Sequence, residues 1–290
     1  MSQPTLQMYG SKNMPTWCPG CGDFQIWMAI KKALVNLNIF PEDVLFVFDV
    51  GCNGNMSDKI GGYRFHSLHG RVVPLAVGAS VANRNIKVIG FGGDGGVYGE
   101  GVNHFIHAIR SNYDCTLIVH NNGNYGLTTG QATPTTPHGL VMNSSPHGVI
   151  EDSLNPIDMA FSLRASFIAR EFSQEMDALV QVFESAIMHQ GFSYVDVIQN
   201  CPTYDKAKMF HQYLSKRTPV ENIKDYNISD YQHNRSLCLE VANNIYTGVL
   251  YRDVNSLSFY DRLPHRQDIK TQLSEEVKHY SVGQFLEKLV

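Results

Sequence analysis

The sequence lacks several features that would place it in a common class of protein at once. It has no surplus of basic residues: 23 lysines and arginines stand against 27 acidic residues, and the formal net charge is −4. A surface that binds the phosphates of nucleic acid, or the headgroups of an anionic membrane, needs such a surplus. We therefore expect neither nucleic acid nor a membrane surface among its partners.

Long apolar segments are also missing. No uninterrupted apolar run approaches the roughly 18 residues that a membrane span requires, and residues 1–12 are polar, unlike a signal peptide. We expect a cytoplasmic protein. In a reducing compartment its six cysteines need an explanation other than a disulfide framework.

The sequence does contain enough apolar residues to build a large core. Of its 290 residues 43% are hydrophobic, and 24 are glycine, which suits the tight turns of an α/β protein. Near-continuous apolar runs rich in β-branched residues are typical of parallel strands covered on both faces. Such runs predict five strands: Asp43–Val50, Ile86–Gly92, Cys115–Asn121, Phe167–Arg170 and Ser193–Gln199.

Amphipathic helices are predicted between these strands, because apolar residues recur there at steps of three and four. The stripes run from Trp27 to Leu37, from Val102 to Ile109 and from Met176 to Ile187, and Asn155 before Pro156 predicts a helix N-cap. Strand and helix alternate up to about residue 200. This alternation predicts an α/β fold with a doubly wound, mostly parallel sheet.

The composition changes after Cys201. Residues 205–230 are polar and predict few strands, whereas Leu237–Tyr251 is apolar again. We interpret residues 1–204 as one domain, and residues 205–290 as a C-terminal extension that packs on the core or on a partner subunit.

The most informative stretch contains two strand ends that carry polar side chains. One predicted strand runs into Gly93-Asp94-Gly95-Gly96, and the next ends at Asn121-Asn122. In α/β folds the carboxyl ends of parallel strands form the ligand-binding edge. Glycines let a backbone approach a diphosphate closely, and carboxylate and amide oxygens suit a Mg²⁺ that also holds diphosphate oxygens. A plain glycine-rich loop is the alternative, which the nearby asparagine pair disfavours.

Four cysteines lie where they can converge. Cys18 and Cys21 form a C-x-x-C loop, while Cys52 and Cys201 each follow a predicted strand. Four thiolates suit either a [4Fe–4S] cluster or a structural zinc ion, and the spacing alone leaves this choice open. The other two cysteines are predicted to be small buried hydrophobic residues: Cys115 and Cys238.

Together these motifs resemble the β subunits of 2-oxoacid:ferredoxin oxidoreductases, over roughly residues 12–255. The glycine-rich loop and the asparagine pair are similar to the thiamine diphosphate-binding motif. The resemblance implies three Mg²⁺ ligands, namely Asp94, the Asn122 side chain and the Asn124 backbone carbonyl. It also implies a [4Fe–4S] cluster held by Cys18, Cys21, Cys52 and Cys201, in the thiamine diphosphate-binding domain formed by residues 1–204. Val50, directly before Gly51 and the third cysteine, Cys52, stands where the family commonly has isoleucine.

The loop that begins Tyr125-Gly126-Leu127-Thr128 is similar to a cofactor loop of that family. By resemblance, His69 and Leu127 act in catalysis, with Leu127 as an apolar wall beside the thiazolium ring. An ordinary core leucine, and a capped turn at Thr128 and Thr129, are the competing interpretations. The implied cofactor-binding residues besides the cysteines are Gly51, His69, Gly93, Asp94, Gly95, Gly96, Asn122, Tyr125, Gly126, Leu127 and Thr128.

The resemblance implies an activity that needs a partner chain. The family converts a 2-oxoacid to acyl-CoA and CO₂, using coenzyme A, and passes electrons through the cluster to ferredoxin. Thiamine enzymes of this kind also need a glutamate from a pyrimidine-binding domain, so we expect an α subunit and an α₂β₂ assembly. Cys201–Tyr204 favours 2-oxoglutarate or a broad range of 2-oxoacids. The alternatives are a non-oxidative thiamine-dependent decarboxylase or synthase with zinc, and a non-catalytic electron-transfer subunit.

Several polar residues near these motifs have open roles. Arg71, like His69, can bind a diphosphate or a substrate carboxylate, and His66 is equally well a structural histidine. Lys59 is predicted to be solvated rather than a carboxylate partner, and Glu100 to help set a helix N-terminus. We expect edge or interface packing, not metal binding, for His104 and His107.

Overall fold

The computed structural model describes residues 3–205, 207–239, 244–266, 268–269, 271–277 and 287. These residues form one eight-stranded sheet with helices on both faces, in the strand order β2-β1-β3-β4-β6-β5-β8-β7. The strands are β1 (Val44–Phe48), β2 (Tyr63–His66), β3 (Lys87–Gly93), β4 (Cys115–Asn121), β5 (Phe167–Phe172), β6 (Phe192–Ile198), β7 (Arg217–Pro219) and β8 (Ile245–Arg252). The helices are α1 (Asp23–Asn36), α2 (Val72–Ala82), α3 (Val102–Ser111), α4 (Pro156–Ser162), α5 (Met176–Met188), α6 (Met209–Leu214) and α7 (Tyr231–Leu239).

The sheet is parallel from β2 to β5 and antiparallel only where β8 joins it. β1 pairs in parallel with β2 and β3, and the pairing continues in parallel through β4, β6 and β5. β8 runs antiparallel to β5, and β7 lies parallel to β8 at the far edge. The predicted doubly wound, mostly parallel sheet is therefore confirmed. The carboxyl ends of β1, β3, β4 and β6 consequently lie along one edge.

Two apolar layers hold the helices to the sheet. On one face α1 packs against α5, and fully buried side chains such as Leu34 and Phe183 join Phe48 and Phe91 of the sheet. On the other face α2, α3 and α4 cover residues such as Leu117 and Val119. Because both faces of the central strands are covered, those strands are almost wholly apolar, which is why their sequences predict strands so clearly.

The predicted elements are close to the observed ones. The third predicted strand coincides with β4, and the other four match β1, β3, β5 and β6 with shifts of one or two residues at their ends. The three apolar stripes lie on α1, α3 and α5. The N-cap is also confirmed: the Asn155 side chain accepts hydrogen bonds from the backbone amides of Ile157 and Asp158, each at 3.2 Å.

Other elements escape sequence analysis. All four residues of β2 are exposed, and this four-residue edge strand lacks the continuous apolar run that marks the central strands. In the extension, β8 adds a strand to the main sheet, and β7 is anchored by a bidentate pair from Arg217 to the buried Glu171, at 2.9 and 3.0 Å. Residues 240–243 of the predicted apolar stretch lie outside the described residues. No helix among the described residues is long and apolar enough to cross a membrane.

His189 gives the fold a pH-dependent stability. The side chain is 4% exposed, and its Nε2 lies 2.8 Å from the Ser166 hydroxyl oxygen. Burial, assisted by the charge of Arg252, lowers the pKa of the imidazole from 6.5 to about 4. Between these two values the unfolded chain binds a proton that the folded chain does not. The free energy of unfolding therefore falls as the pH decreases through this window.

We expect His189 to lower the free energy of unfolding by on the order of 1 kcal/mol for each pH unit of acidification, relative to His189→Gln. Glutamine places an amide near the position of Nε2 and does not titrate, so it is the matched control. Denaturant unfolding of both proteins at about pH 7 and about pH 5 tests this. Equal pH dependence in the two proteins would contradict it.

Candidate cofactor site

One cavity at the carboxyl edge of the sheet collects the predicted cofactor residues. It lies between the loops that follow β1, β3 and β4, with Gln199 entering from the end of β6. Of the predicted residues, those that line it are Gly51, Cys52, His69, Gly93, Asp94, Gly95, Gly96, Asn122, Asn124, Tyr125, Gly126, Leu127 and Thr128. Parallel strands alone bring these distant segments together.

Asp94 is the buried acidic group of the cavity. It is 1% exposed, and its Oδ2 accepts hydrogen bonds from the hydroxyls of Thr133 and Thr135, at 2.5 and 2.6 Å. Burial raises the pKa of the carboxyl to about 6, although the two threonines act in the opposite direction. The hydroxyls of these two threonines therefore hold Asp94 in place.

Asn122 and Asn124 form a closed turn beside this carboxylate. The Asn122 Oδ1 accepts the backbone amide of Asn124 at 3.1 Å, and the Asn124 side chain donates to the Asn122 carbonyl at 2.9 Å. The Asn122 amide group donates to Gln199 Oε1 at 2.9 Å, a partner that sequence analysis missed. Carboxylate and amide oxygens facing one cavity are the hard donors that Mg²⁺ prefers, so the donor set fits this ion.

The glycine-rich loop has no room for side chains. A Cβ added at Gly95 would stand 2.3 Å from the ring of Tyr125, and one at Gly96 would stand 2.4 Å from Asp49 Oδ2. Asp49 is fully buried, and its other oxygen accepts the backbone amides of Val50 and Gly70, at 2.7 and 2.8 Å. Asp49, not singled out from the sequence, therefore fixes the loop after β1 under the glycine-rich turn.

His69 faces the cavity together with an acidic partner. Its Nδ1 lies 2.9 Å from Glu100 Oε2, an ion-pair distance, and its ring centroid is 6.0 Å from that of Tyr125. The expected role of Glu100 at a helix terminus is wrong, because α3 has no side-chain cap and this carboxylate turns toward His69. The guanidinium of Arg71 donates to the Glu100 carbonyl at 3.0 Å, and Arg71 is not among the residues lining the cavity.

The loop after Asn124 places Leu127 and Thr128 at the cavity mouth. Leu127 is 61% exposed, which excludes an ordinary core leucine. Thr128 forms the capped turn considered above: its hydroxyl donates to Gln131 Oε1 at 2.6 Å, and Gln131 Nε2 donates back to the Thr128 carbonyl at 2.5 Å. Thr129 supplies the left-handed backbone that this turn needs, with φ of 78°.

His120 and Asp23 form a buried pair that sequence analysis missed. His120 Nδ1 lies 2.6 Å from Asp23 Oδ1, and the two residues are 1% and 0% exposed. The ring lines the cavity, and its Nε2 is buried with no hydrogen-bond partner. In the sequence His120 ends an apolar run inside a strand, and nothing there shows that Asp23 faces it.

The loops that carry the four cysteines are tied together by hydrogen bonds. The Trp17 indole donates to the Cys52 carbonyl at 2.8 Å, and the Asn200 side chain donates to the Gly20 carbonyl at 2.9 Å. The sulfurs of Cys52 and Cys201 both lie within 4.0 Å of the point where a Cβ on Gly126 would stand. Cys115 and Cys238 are buried at 5% and 6% exposure, as predicted.

The four thiols also affect one another electrostatically. The pKa of Cys52 is raised to about 12, first by burial, then by Asp23, and then by Cys201 and Cys18. Burial also raises the pKa of Cys21, with Asp23 and Cys52 contributing. Within the described part of the chain, no three side chains of His, Cys, Asp or Glu are grouped tightly enough to hold a single metal ion.

The lysine and histidines whose roles the sequence leaves undecided lie outside the cavity. Lys59 is 4% exposed and its ammonium lies 2.6 Å from Asp58 Oδ1, so the prediction of a solvated lysine is wrong. His66 is exposed on β2. On α3, His104 is half-buried and His107 exposed, and burial, Arg71 and His107 together lower the pKa of His104.

Comparison with known proteins first defines the class. Residues 49–197 match the family model described as the C-terminal TPP-binding domain of thiamine pyrophosphate enzymes. All of the residues that line the cavity except Gln199 lie within this segment, so the fold and the site define a thiamine diphosphate-binding domain. Residues 201–268 match the C-terminal part of the β subunit of pyruvate ferredoxin oxidoreductase.

The relatives then give the family. The chain is 41% identical over 203 residues to the 2-oxoacid:ferredoxin oxidoreductase subunit beta of Saccharolobus solfataricus, covering 69% of this chain and 66% of that one. It is 34% identical over 264 residues to the beta subunit of 2-oxoacid:ferredoxin oxidoreductase 2 of Aeropyrum pernix, covering 88% and 85%. The chain belongs to the family of β subunits of 2-oxoacid:ferredoxin oxidoreductases.

A solved structure agrees over almost the whole fold. The 2-oxoglutarate:ferredoxin oxidoreductase of Magnetococcus marinus, solved with 2-oxoglutarate, coenzyme A and succinyl-CoA bound, aligns with a TM-score of 0.88 at 27% identity. The alignment covers 99% of this chain and 97% of that one. The extension is therefore included in the shared fold.

The tight glycine-rich loop leads to a direct prediction. Gly96→Ala puts a methyl group into the space of Asp49 Oδ2, so the loop must move, and we expect thiamine diphosphate affinity to fall by roughly tenfold or more. Gly78→Ala is the matched control, because nothing lies within 4 Å of a Cβ at that helical position. Calorimetric titration with thiamine diphosphate and Mg²⁺ measures both. Equal affinities would show that the loop does not contact the cofactor.

Proposed function

We propose that this chain is the catalytic β subunit of an enzyme that oxidatively decarboxylates a 2-oxoacid to acyl-CoA and CO₂. The two electrons released by this oxidation pass one at a time through a [4Fe–4S] cluster to ferredoxin. One observation carries the proposal: the Asp94–Asn122 pair and the Cys52–Cys201 pair lie at the same edge of the sheet, around the same loop. A redox centre and an organic cofactor must be neighbours for such an electron transfer.

The cofactor half of the site is assigned to the cavity residues. Asp94, the Asn122 side chain and the Asn124 carbonyl would hold Mg²⁺, and the glycine-rich turn would approach the diphosphate. When bound, thiamine diphosphate supplies the electron sink for decarboxylation and the cluster accepts single electrons. Leu127 would form an apolar wall at the mouth, and His69, paired with Glu100, would offer a polar contact to the reacting groups.

The redox half is assigned to Cys18, Cys21, Cys52 and Cys201. A [4Fe–4S] cluster spreads its thiolates over four irons, whereas zinc draws all of them to about 2.3 Å from one ion. The relatives named above are ferredoxin oxidoreductases, and an electron-carrying cluster suits that chemistry better than a structural zinc ion does. Hydrogen bonds and burial around the sulfurs would tune the potential of the cluster.

The cavity is completed by a partner in this proposal. Leu127 at the cavity mouth and Leu68, next in the chain to His69, are 61% and 78% exposed, and a second subunit would cover them. One sheet of this kind supplies the diphosphate half of a thiamine site only. An α subunit would therefore supply the pyrimidine-binding half in a cytoplasmic α₂β₂ assembly.

The substrate is assigned as a 2-oxoacid, with coenzyme A as acyl acceptor. The relatives named above are 2-oxoacid enzymes, and the solved neighbour binds 2-oxoglutarate and coenzyme A. 2-Oxoglutarate is accordingly the first candidate in a panel that also includes pyruvate and 2-oxoisovalerate, assayed on the co-expressed complex with a viologen acceptor.

The cluster assignment is tested by substituting one cysteine. The complex, purified without oxygen, should be brown and contain about four irons per β chain. Cys52→Ser should lose the iron and the viologen reduction but keep thiamine diphosphate. Cys115→Ser, a buried cysteine away from the cavity, is the control and should keep both. A colourless zinc protein, or a Cys52→Ser variant with full iron, would contradict the assignment.

The Mg²⁺ assignment is tested at Asp94. Asp94→Asn removes the charge but keeps the shape, so Mg²⁺-dependent binding of thiamine diphosphate should weaken by roughly a hundredfold. Asp114→Asn, at an exposed carboxyl just before β4 and at the end of that strand away from the cavity, is the control and should bind normally. Binding is read by calorimetry, with iron content measured in parallel. Unchanged affinity in Asp94→Asn would place the metal elsewhere.

A further inference from the structure

The cavity contains one buried polar atom to which the proposed function assigns no role. His120 Nε2 is buried, lines the cavity and has no hydrogen-bond partner, while the residue as a whole is 1% exposed. Leaving such an atom unsatisfied is energetically unfavourable. A cavity-facing group of this kind gains a partner only when something occupies the cavity.

The ring cannot turn away to find another partner. Nδ1 is held at 2.6 Å by the fully buried Asp23, and Phe91 packs edge-on against the imidazole with centroids 5.8 Å apart. Asp23 is itself fully buried and fixed at the first position of α1. The orientation of His120 is thus set by two elements that pack behind the cavity.

The chemistry of the unpartnered atom follows from this orientation. Because the carboxylate of Asp23 can only accept, Nδ1 is the nitrogen that donates to it, and a neutral ring presents Nε2 as an acceptor. The complementary ligand group is an N–H or O–H donor. An ionised 2-oxoacid has no such donor, whereas the aminopyrimidine amine of thiamine diphosphate has one. A hydroxyl formed when the carbonyl oxygen of the substrate takes up a proton is the other source.

We propose that His120 is a ligand-contacting residue of this site, which accepts a hydrogen bond at Nε2 from the bound cofactor or the reacting hydroxyl, and that Asp23 is its positioning residue. This inference rests on the proposed function, because it takes the cavity to be the thiamine diphosphate site. It adds a contact from β4 to the residues already assigned to the cofactor.

The test separates Nε2 from the rest of the ring. His120→Asn keeps an amide near the position of Nδ1, and with it the contact to Asp23, but deletes Nε2. His120→Gln places an amide oxygen near Nε2, so it can restore an acceptor. His189→Gln, at a buried histidine near the amino end of β6, is the control. All are made in the co-expressed complex, with iron content and thermal unfolding measured to show intact protein.

Two measurements distinguish the two donors. If the cofactor amine is the partner, His120→Asn weakens binding of thiamine diphosphate with Mg²⁺ by roughly tenfold. If the reacting hydroxyl is the partner, cofactor binding is unchanged, and kcat for 2-oxoglutarate falls by roughly tenfold or more while KM stays the same. In either case His120→Gln should recover part of the loss, which a merely structural role for the ring would not produce.

The inference is overturned if His120→Asn, intact and loaded with iron, matches the wild-type complex in cofactor affinity and in kcat. If His120→Asn does not fold, the comparison of His120→Gln with His120→Phe decides in the same way, because only glutamine retains an acceptor. Failure of the proposed function itself looks different: the wild-type complex would then bind no thiamine diphosphate. The two failures are thus told apart by the wild-type titration alone.

Discussion

Parallel pairing of β1, β3, β4 and β6 is the constraint on which the rest of the structure depends. It places the carboxyl ends of four strands at one edge. The segments that follow these strands are far apart in the chain: Cys52 and Cys201 are separated by 149 positions. Helices cover both faces of these strands. Polar side chains that would be scattered in another topology therefore face a common cavity.

The formation of this site is energetically unfavourable in one respect, because three carboxyl groups in and around the cavity are buried. Asp94, Asp49 and Asp23 are each at most 1% exposed, and a buried carboxylate is tolerated only when hydrogen bonds compensate for the lost water. Hydroxyls of Thr133 and Thr135 do this for Asp94, backbone amides for Asp49, and His120 for Asp23. The long loop after β4 thus has a structural task as well as a chemical one. Its threonines hold the acidic group that would bind the metal.

How much of this could be predicted from the sequence depends on whether the signal is local. Strands β1, β3 and β4 and helices α1, α3 and α5 carry their own apolar periodicity, and the site motifs follow strand ends, so both could be predicted. β2 has only four residues, all exposed, and no continuous apolar run. The pair between Asp23 and His120 joins residues 97 positions apart, and the burial of Lys59 depends on packing. Such contacts are tertiary, so no pattern in either segment reveals them.

The central claim is that an organic cofactor and a cluster share this edge closely enough to exchange electrons. Rapid mixing of the anaerobic, ferredoxin-free complex with 2-oxoglutarate, followed by freezing and electron paramagnetic resonance, tests it most directly. The account predicts the signal of a reduced [4Fe–4S] cluster, appearing within one turnover and absent from a complex that carries Cys52→Ser. A complex that holds thiamine diphosphate and iron, consumes the 2-oxoacid and leaves the cluster oxidised would contradict it.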